Sequence, residues 1–208
     1  MMLSHAFGVL FRPETEWAAI RKDKPTPMAG YIAYVLILAV IGPACAYYGT
    51  VHVGWSVGQE RIISLTADSA LQLSVLTYLA KLAGIFGLAY GVNWMAKTFG
   101  AREDEDHGVH ALALCAYSLT PMLIAGVTLL YPDPWISAMI LLAAASYGAY
   151  LMWTGIPVIM GMSKEQAMVY GGAILLLALV ILVTTLASTG LLWSFGFAPT
   201  FTETYLMD

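Results

Sequence analysis

Gly171-Gly172-Ala173-Ile174-Leu175-Leu176-Leu177-Ala178-Leu179-Val180-Ile181-Leu182-Val183 is the stretch on which the fold turns. It lies inside a run, 166–202, that contains no Asp, Glu, Lys or Arg. A hydrocarbon core about 30 Å thick is crossed by about 20 helical residues, so this run holds one crossing with residues to spare. The same absence of charge recurs over 29–59, 82–96, 109–132 and 134–163. Of the 208 residues 60% are apolar and 11% charged, whereas soluble domains run at about 45–50% and about 25%. Disorder, a secreted disulfide scaffold and an ordinary cytosolic enzyme are excluded. Cys45 and Cys115 fall inside apolar runs and read as packed small hydrophobes. The net charge of −4 is small and dispersed, without the concentrated basic face that nucleic acid requires.

The expected fold class is therefore all-α, an integral membrane bundle of five transmembrane helices. The first covers about 28–48, with Gly42-Pro43 kinking or ending its outer half. Residues 49–68 are polar and Gly-rich and read as a loop, with alternation at Val51–Val57 that suits a short hairpin or an interfacial turn. Asp68 caps a second span of about 69–98. The third covers about 109–131 after a polar loop carrying Glu103-Asp104-Glu105-Asp106. Asp133-Pro134 supplies an N-cap and a first-turn proline for the fourth span, about 134–160. Ser163-Lys164-Glu165-Gln166 matches a capping box opening the fifth, about 164–193.

Residues 1–27 read as a cytoplasmic interfacial segment, 28–193 as the membrane domain and 194–208 as an extracytoplasmic tail. The apolar stretch Met2–Phe11 is too short to span and lacks the flanks of a signal peptide. Trp17 and Ile20 alternate with Glu14, Glu16, Arg21 and Lys22, the pattern of a helix lying in the membrane interface, with Trp17 and Ile20 as its lipid anchor. Arg12, Arg21, Lys22, Lys24, Lys97, Arg102 and Lys164 fall on one side of the five spans and Arg61 alone on the other. Basic residues collect on the cytoplasmic side, which places the N-terminus in the cytoplasm and the C-terminus outside.

Lys81 stands deep in the second span, and no Asp or Glu sits at comparable depth in any helix. Intramembrane charge is expensive and marks a site by default. Pro121 lies mid-span in the third helix, removes the donor to the Tyr117 carbonyl and kinks the chain there. A candidate polar site follows: Lys81 donating to that carbonyl or to Ser118 and Thr120, as a structural anchor or as part of a substrate or ion path. Ala80, Gly84, Gly87 and Gly91 fall within roughly 60° of one another on the second helix. Such a small-residue stripe serves close packing inside the bundle or against a partner or second copy. His107 and His110 with Asp104 and Asp106 have too few ligands in too loose a pattern for a metal site, and His5 and His52 have no evident companions. No nucleophile, metal or phosphate-loop motif occurs. Catalytic residues, cofactors and metals are all expected to be none.

Three segments together resemble the Yip-domain (Ypt-interacting-protein) family: Phe11-Arg12-Pro13-Glu14-Thr15-Glu16-Trp17-Ala18-Ala19-Ile20; Thr98-Phe99-Gly100 leading to Ala116-Tyr117-Ser118-Leu119-Thr120-Pro121; and Ser146–Leu151 leading through Gly155-Ile156-Pro157 to Lys164–Ala167. The resemblance implies five spans with a cytosolic N-terminus. Eukaryotic members act in vesicle traffic, bind Rab-type GTPases through a longer N-terminal region and associate with membrane-shaping partners. The 27 residues here argue against a Rab-type GTPase and fit a short prokaryotic inner-membrane member. The expected function is a non-enzymatic membrane scaffold or organiser, acting on the lipid bilayer and on other membrane proteins or itself. The alternatives are a small transporter or channel with its path around Lys81, Tyr117, Ser118 and Thr120, or an accessory subunit of a larger membrane complex.

Overall fold

The computed structural model describes residues 2–22, 26–56, 61–101 and 107–205. Nearly all of them are helical. α1 (Met2–Phe11) and α2 (Pro13–Lys22) precede α3 (Met28–Tyr48), α4 (Ala67–Ala96), α5 (His107–Ser118), α6 (Thr120–Ala125), α7 (Pro134–Ile159) and α8 (Lys164–Leu192). A π-helical turn, Gly49–Val53, extends α3, and a 3-10 turn, Gly126–Leu130, extends α6. Four helices are long and apolar enough to cross a membrane, or five if α5 and the α6 segment, bent by 40°, form one span.

Local sequence signals set most of the boundaries. Asp133 Oδ1 accepts from the amides of Trp135 and Ile136, at 2.9 and 2.8 Å. Ser163 and Gln166 complete a reciprocal capping box, at 3.2 and 3.1 Å. Both caps satisfy amides that the first helical turn leaves without carbonyl partners. One expectation fails. Thr66, not Asp68, is the N-cap of α4, and Asp68 sits in its first turn. Pro43 lies inside α3, which continues to Tyr48. The break at Pro121 is present: the chain turns at Leu119 and restarts as α6.

The all-α expectation omits a small sheet. β1 (Trp55–Ser56), β2 (Arg61–Leu65) and β3 (Phe201–Tyr205) form three antiparallel strands in the order β1-β2-β3. Gly54, with φ of +70°, turns the chain sharply from the π-helical turn into β1, a conformation glycine adopts without steric cost. β3 comes from the segment expected as a tail, and the Thr66 amide donates to the Thr200 carbonyl at 3.1 Å beside it. This is the sheet end of the bundle.

The opposite end is closed by α1 and α2. The chain folds back at Arg12-Pro13, and His5 Nδ1 meets Glu16 Oε1 at 2.6 Å across the two arms, giving His5 a companion after all. Gly8 admits the Glu16 carboxyl, which a Cβ there would overlap. Tyr147 of α7 donates to the Leu10 carbonyl at 2.5 Å, next to the break. Ala6, Val9, Trp17 and Ile20 belong to the same hydrophobic cluster as Leu114, Tyr117, Leu151, Ile156 and Tyr170. Residues 2–22 are therefore packed against the bundle through Ala6, Val9, Trp17 and Ile20.

Candidate functional site

The Pro121 break organises the most polar part of the interior. Tyr117 is buried at the end of α5, and three aromatic rings surround it edge-on: Trp17 at 6.3 Å, Tyr31 at 5.7 Å and Tyr34 at 5.5 Å between centroids. Edge-to-face contacts of this kind add about 0.5–1.5 kcal/mol each beyond simple burial. Thr120 Oγ1 lies 2.9 Å from the Ala116 carbonyl and 2.8 Å from Tyr34 Oη. Its single proton goes to the carbonyl, so Tyr34 donates to Thr120. The Ser118 hydroxyl and Trp17 Nε1 are buried without a hydrogen-bond partner among the described residues. Gly148 of α7 lets the Ser118 carbonyl approach, because a Cβ there would overlap it.

Lys81 is not part of this cluster, which corrects the candidate polar site. Its ammonium rests against Gly42 of α3, close to where Gly42 and Gly126 bring α3 and the 3-10 turn into backbone contact. Gly126 lies five residues past Pro121, about 7 Å further along the span. Tyr117, Ser118, Thr120 and Pro121 are thus together, and Lys81 is about a turn and a half away towards the sheet end. Thr120 has given its proton to Ala116 and already accepts from Tyr34.

The lipid anchor moves as well. Trp17 is 0% exposed and Ile20 is 8% exposed, so neither faces lipid. Trp17 occupies the space that Gly155 of α7 leaves open, beside Leu114. An amphipathic ten-residue helix has one apolar face, and here that face meets protein. The exposed aromatics of the helical hairpin are instead Phe7 at 63% and Phe11 at 79%, one turn apart on α1.

On α4 the small-residue stripe is covered within the chain. Ile181 of α8 lies over Gly84 and Gly87, and Leu177 fills the space at Gly91. Ala80 precedes these three on the same helix and is half-buried. This part of the stripe is accordingly occupied by α8 and does not present a free partner face.

One contact between helices had no signal in the sequence. Arg21 of α2 donates to the Ile159 carbonyl at 2.8 Å and lies 3.2 Å from His110 Nδ1 of α5. The guanidinium thereby satisfies a terminal carbonyl of α7, where cations are favoured by the helix dipole. His110 accepts from it only with Nδ1 unprotonated. Residues 102–106, which include Asp104 and Asp106, lie outside the described residues; among the described ones no group of three His, Cys, Asp or Glu could hold a metal ion.

Two shallow grooves among the described residues lie one at each end. The first, about 210 Å³, is lined by Trp55, Leu129, Pro132, Asp133, Pro134 and Ser137. The second, about 250 Å³, is lined by Arg12, Pro13, Glu14, Thr15 and Tyr150. Neither includes Lys81 or the Tyr117 cluster.

The Yip1 domain is matched over residues 7–185 of the chain. The inner membrane protein YohC of Escherichia coli strain K12 is 31% identical over 195 residues, covering 94% of this chain and 98% of that protein. The same-named protein of Escherichia coli O6:H1 matches with the same identity and coverage. No solved structure matches. The chain belongs to the Yip1 domain family.

Proposed function

We propose that this Yip1 domain protein is a non-enzymatic scaffold of the inner membrane, crossing the bilayer five times with its N-terminus in the cytoplasm and its C-terminus outside. It works by holding a rigid bundle in the membrane and recruiting other membrane proteins or further copies of itself. Inner-membrane residence follows from the family and from the relative of that name.

The number of crossings has a parity argument behind it. β2 lies between α3 and α4, and β3 follows α8. The two strands are hydrogen-bonded neighbours, so both must be on one side of the membrane. Four helices separate them if α5 and α6 count as one span. An even number of crossings returns the chain to the same side, whereas a re-entrant α5–α6 would leave three and separate the strands. The groove joining Trp55 to Pro132, Asp133 and Pro134 supports the α6–α7 connection lying on that side too. With seven basic residues on the opposite side, the sheet end is outside.

The observation that carries the scaffold reading is the filled interior. The side chains around Tyr117 close on one another, the two grooves are superficial, and Lys81 is separated from the hydroxyl cluster by a turn and a half. A continuous polar path for a solute has no support in that arrangement. The test is affinity capture of the tagged chain from native membranes after gentle extraction, with the tag after Asp208. Reproducible membrane-protein partners, with the tag reachable only from outside the cell, are the expected result. A lone monomer that conducts a solute in vesicles, or a tag reachable only from the cytoplasm, would overturn the proposal.

A further inference from the structure

We infer that the turn of the helical hairpin is a headgroup site for an aminophospholipid of the cytoplasmic leaflet, with Arg12 taking the phosphate and Glu14 the ammonium. The inference rests on the membrane placement proposed above but not on the scaffold role.

Depth comes from the neighbours of α2, which runs alongside α7 in the same direction. The Leu10 carbonyl meets Tyr147, Trp17 fills the space at Gly155, and Arg21 meets the Ile159 carbonyl. Trp135, 82% exposed at the sheet end of α7, marks the outer interface, where tryptophans collect. A core about 30 Å thick beginning there ends about 20 residues later, close to Gly155. The groove formed by Arg12, Pro13, Glu14, Thr15 and Tyr150 then lies about 7 Å inside the hydrocarbon boundary. Arg12 at that depth reaches the headgroup layer, but not bulk water, by extending its side chain, and Glu14, two residues further along α2, lies about 3 Å nearer the boundary. Phe7 and Phe11 project unsheltered from the adjoining arm, which places acyl chains beside the groove.

Charge then selects the occupant. Arg12 and Glu14 are both exposed, flank Pro13 and make no ion pair with each other or with another described residue. Two opposite charges lining one groove complement a zwitterion. The guanidinium offers a bidentate face to a phosphate. The carboxylate needs an N–H donor, which a primary ammonium provides and a trimethylammonium does not. A glycerol headgroup has the phosphate but no positive charge for Glu14. Thr15 has given its proton to the Arg12 carbonyl at 3.1 Å, so its oxygen is left as an acceptor on the same side.

The test is native mass spectrometry of the delipidated full chain offered equal amounts of phosphatidylethanolamine, phosphatidylcholine and phosphatidylglycerol. Phosphatidylethanolamine is expected to be retained about tenfold over each of the others, the preference one charge-assisted hydrogen bond confers. Glu14→Gln should bring it down to the phosphatidylglycerol level, and Arg12→Gln should lower both about tenfold. Both side chains are exposed, so matched thermal unfolding identifies the variants as folded. Equal retention of the three lipids by the unaltered chain, preference for phosphatidylglycerol, or retention unmoved by either folded variant would overturn the inference. None of these results bears on the tag after Asp208, so the two proposals fail separately.

Discussion

The two ends of the bundle are built on different plans. Towards the helical hairpin, α5 is buried without interruption from Ala111 to Ser118, and α4 buries Ile85, Leu88, Ala89, Val92 and Ala96. The buried residues of α7 run from Gly148 to Ile159, and those of α8 from Ala167 to Ile174. Towards the sheet, neither α7 before Gly148 nor α8 after Ile174 buries a residue. Leu141 and Leu142 of α7 and Leu179, Val180, Leu182 and Val183 of α8 are all exposed. Lipid solvates leucine as well as another helix does, so apolar surface alone does not draw helices together in a membrane. Tight packing requires shapes that fit, and at one end the two short helices provide the fit. Towards the sheet end, strand pairing of β2 with β3 and the close approach of α3 to the 3-10 turn at Gly42–Gly126 and Gly49–Leu129 hold the chain together.

That contrast is most exposed to attack at Trp17. Trp17→Ala removes the largest fully buried side chain, and is expected to destabilise by about 3–5 kcal/mol, the range for buried aromatics. Thermal unfolding of the purified protein in mild detergent measures it; a loss under about 1 kcal/mol would return Trp17 to the lipid surface. Smaller effects sharpen the comparison. Arg21→Gln deprives the Ile159 carbonyl of its donor and should destabilise by about 1–3 kcal/mol. Leu179→Ala on the exposed half of α8 should stay within about 0.5 kcal/mol in the same assay. Equal losses for the two variants would mean that the ends do not differ as described.

What the sequence made legible divides along similar lines. Asp133-Pro134 and Ser163–Gln166 were readable because a cap is made by residues within four positions of each other. The Pro121 break was readable because proline acts on its own turn. β3 was not: its partners in β2 lie some 140 residues earlier, and a five-residue segment has no internal signal for so distant a neighbour. The face occupied by Trp17 and Ile20 was read correctly as apolar, but periodicity names a face and not its occupant, so lipid was assigned where Gly155 and Tyr117 stand. Lys81 and the Tyr117 carbonyl were joined by chemical need alone; the axial rise between Pro121 and Gly126 is what separates them. Arg21 counted as one of seven charges, and nothing in its flanks predicted the Ile159 carbonyl.

α1 and α2 pack into the core of the membrane bundle. Amide hydrogen exchange of the full chain in lipid nanodiscs tests that packing most directly, comparing residues 13–22 with residues 150–159 of α7. If the helical hairpin is locked in place, the two segments show the same slow exchange and lose protection together on heating. If α2 merely rests on the membrane surface, its amides exchange within seconds while α7 stays protected, and the account fails.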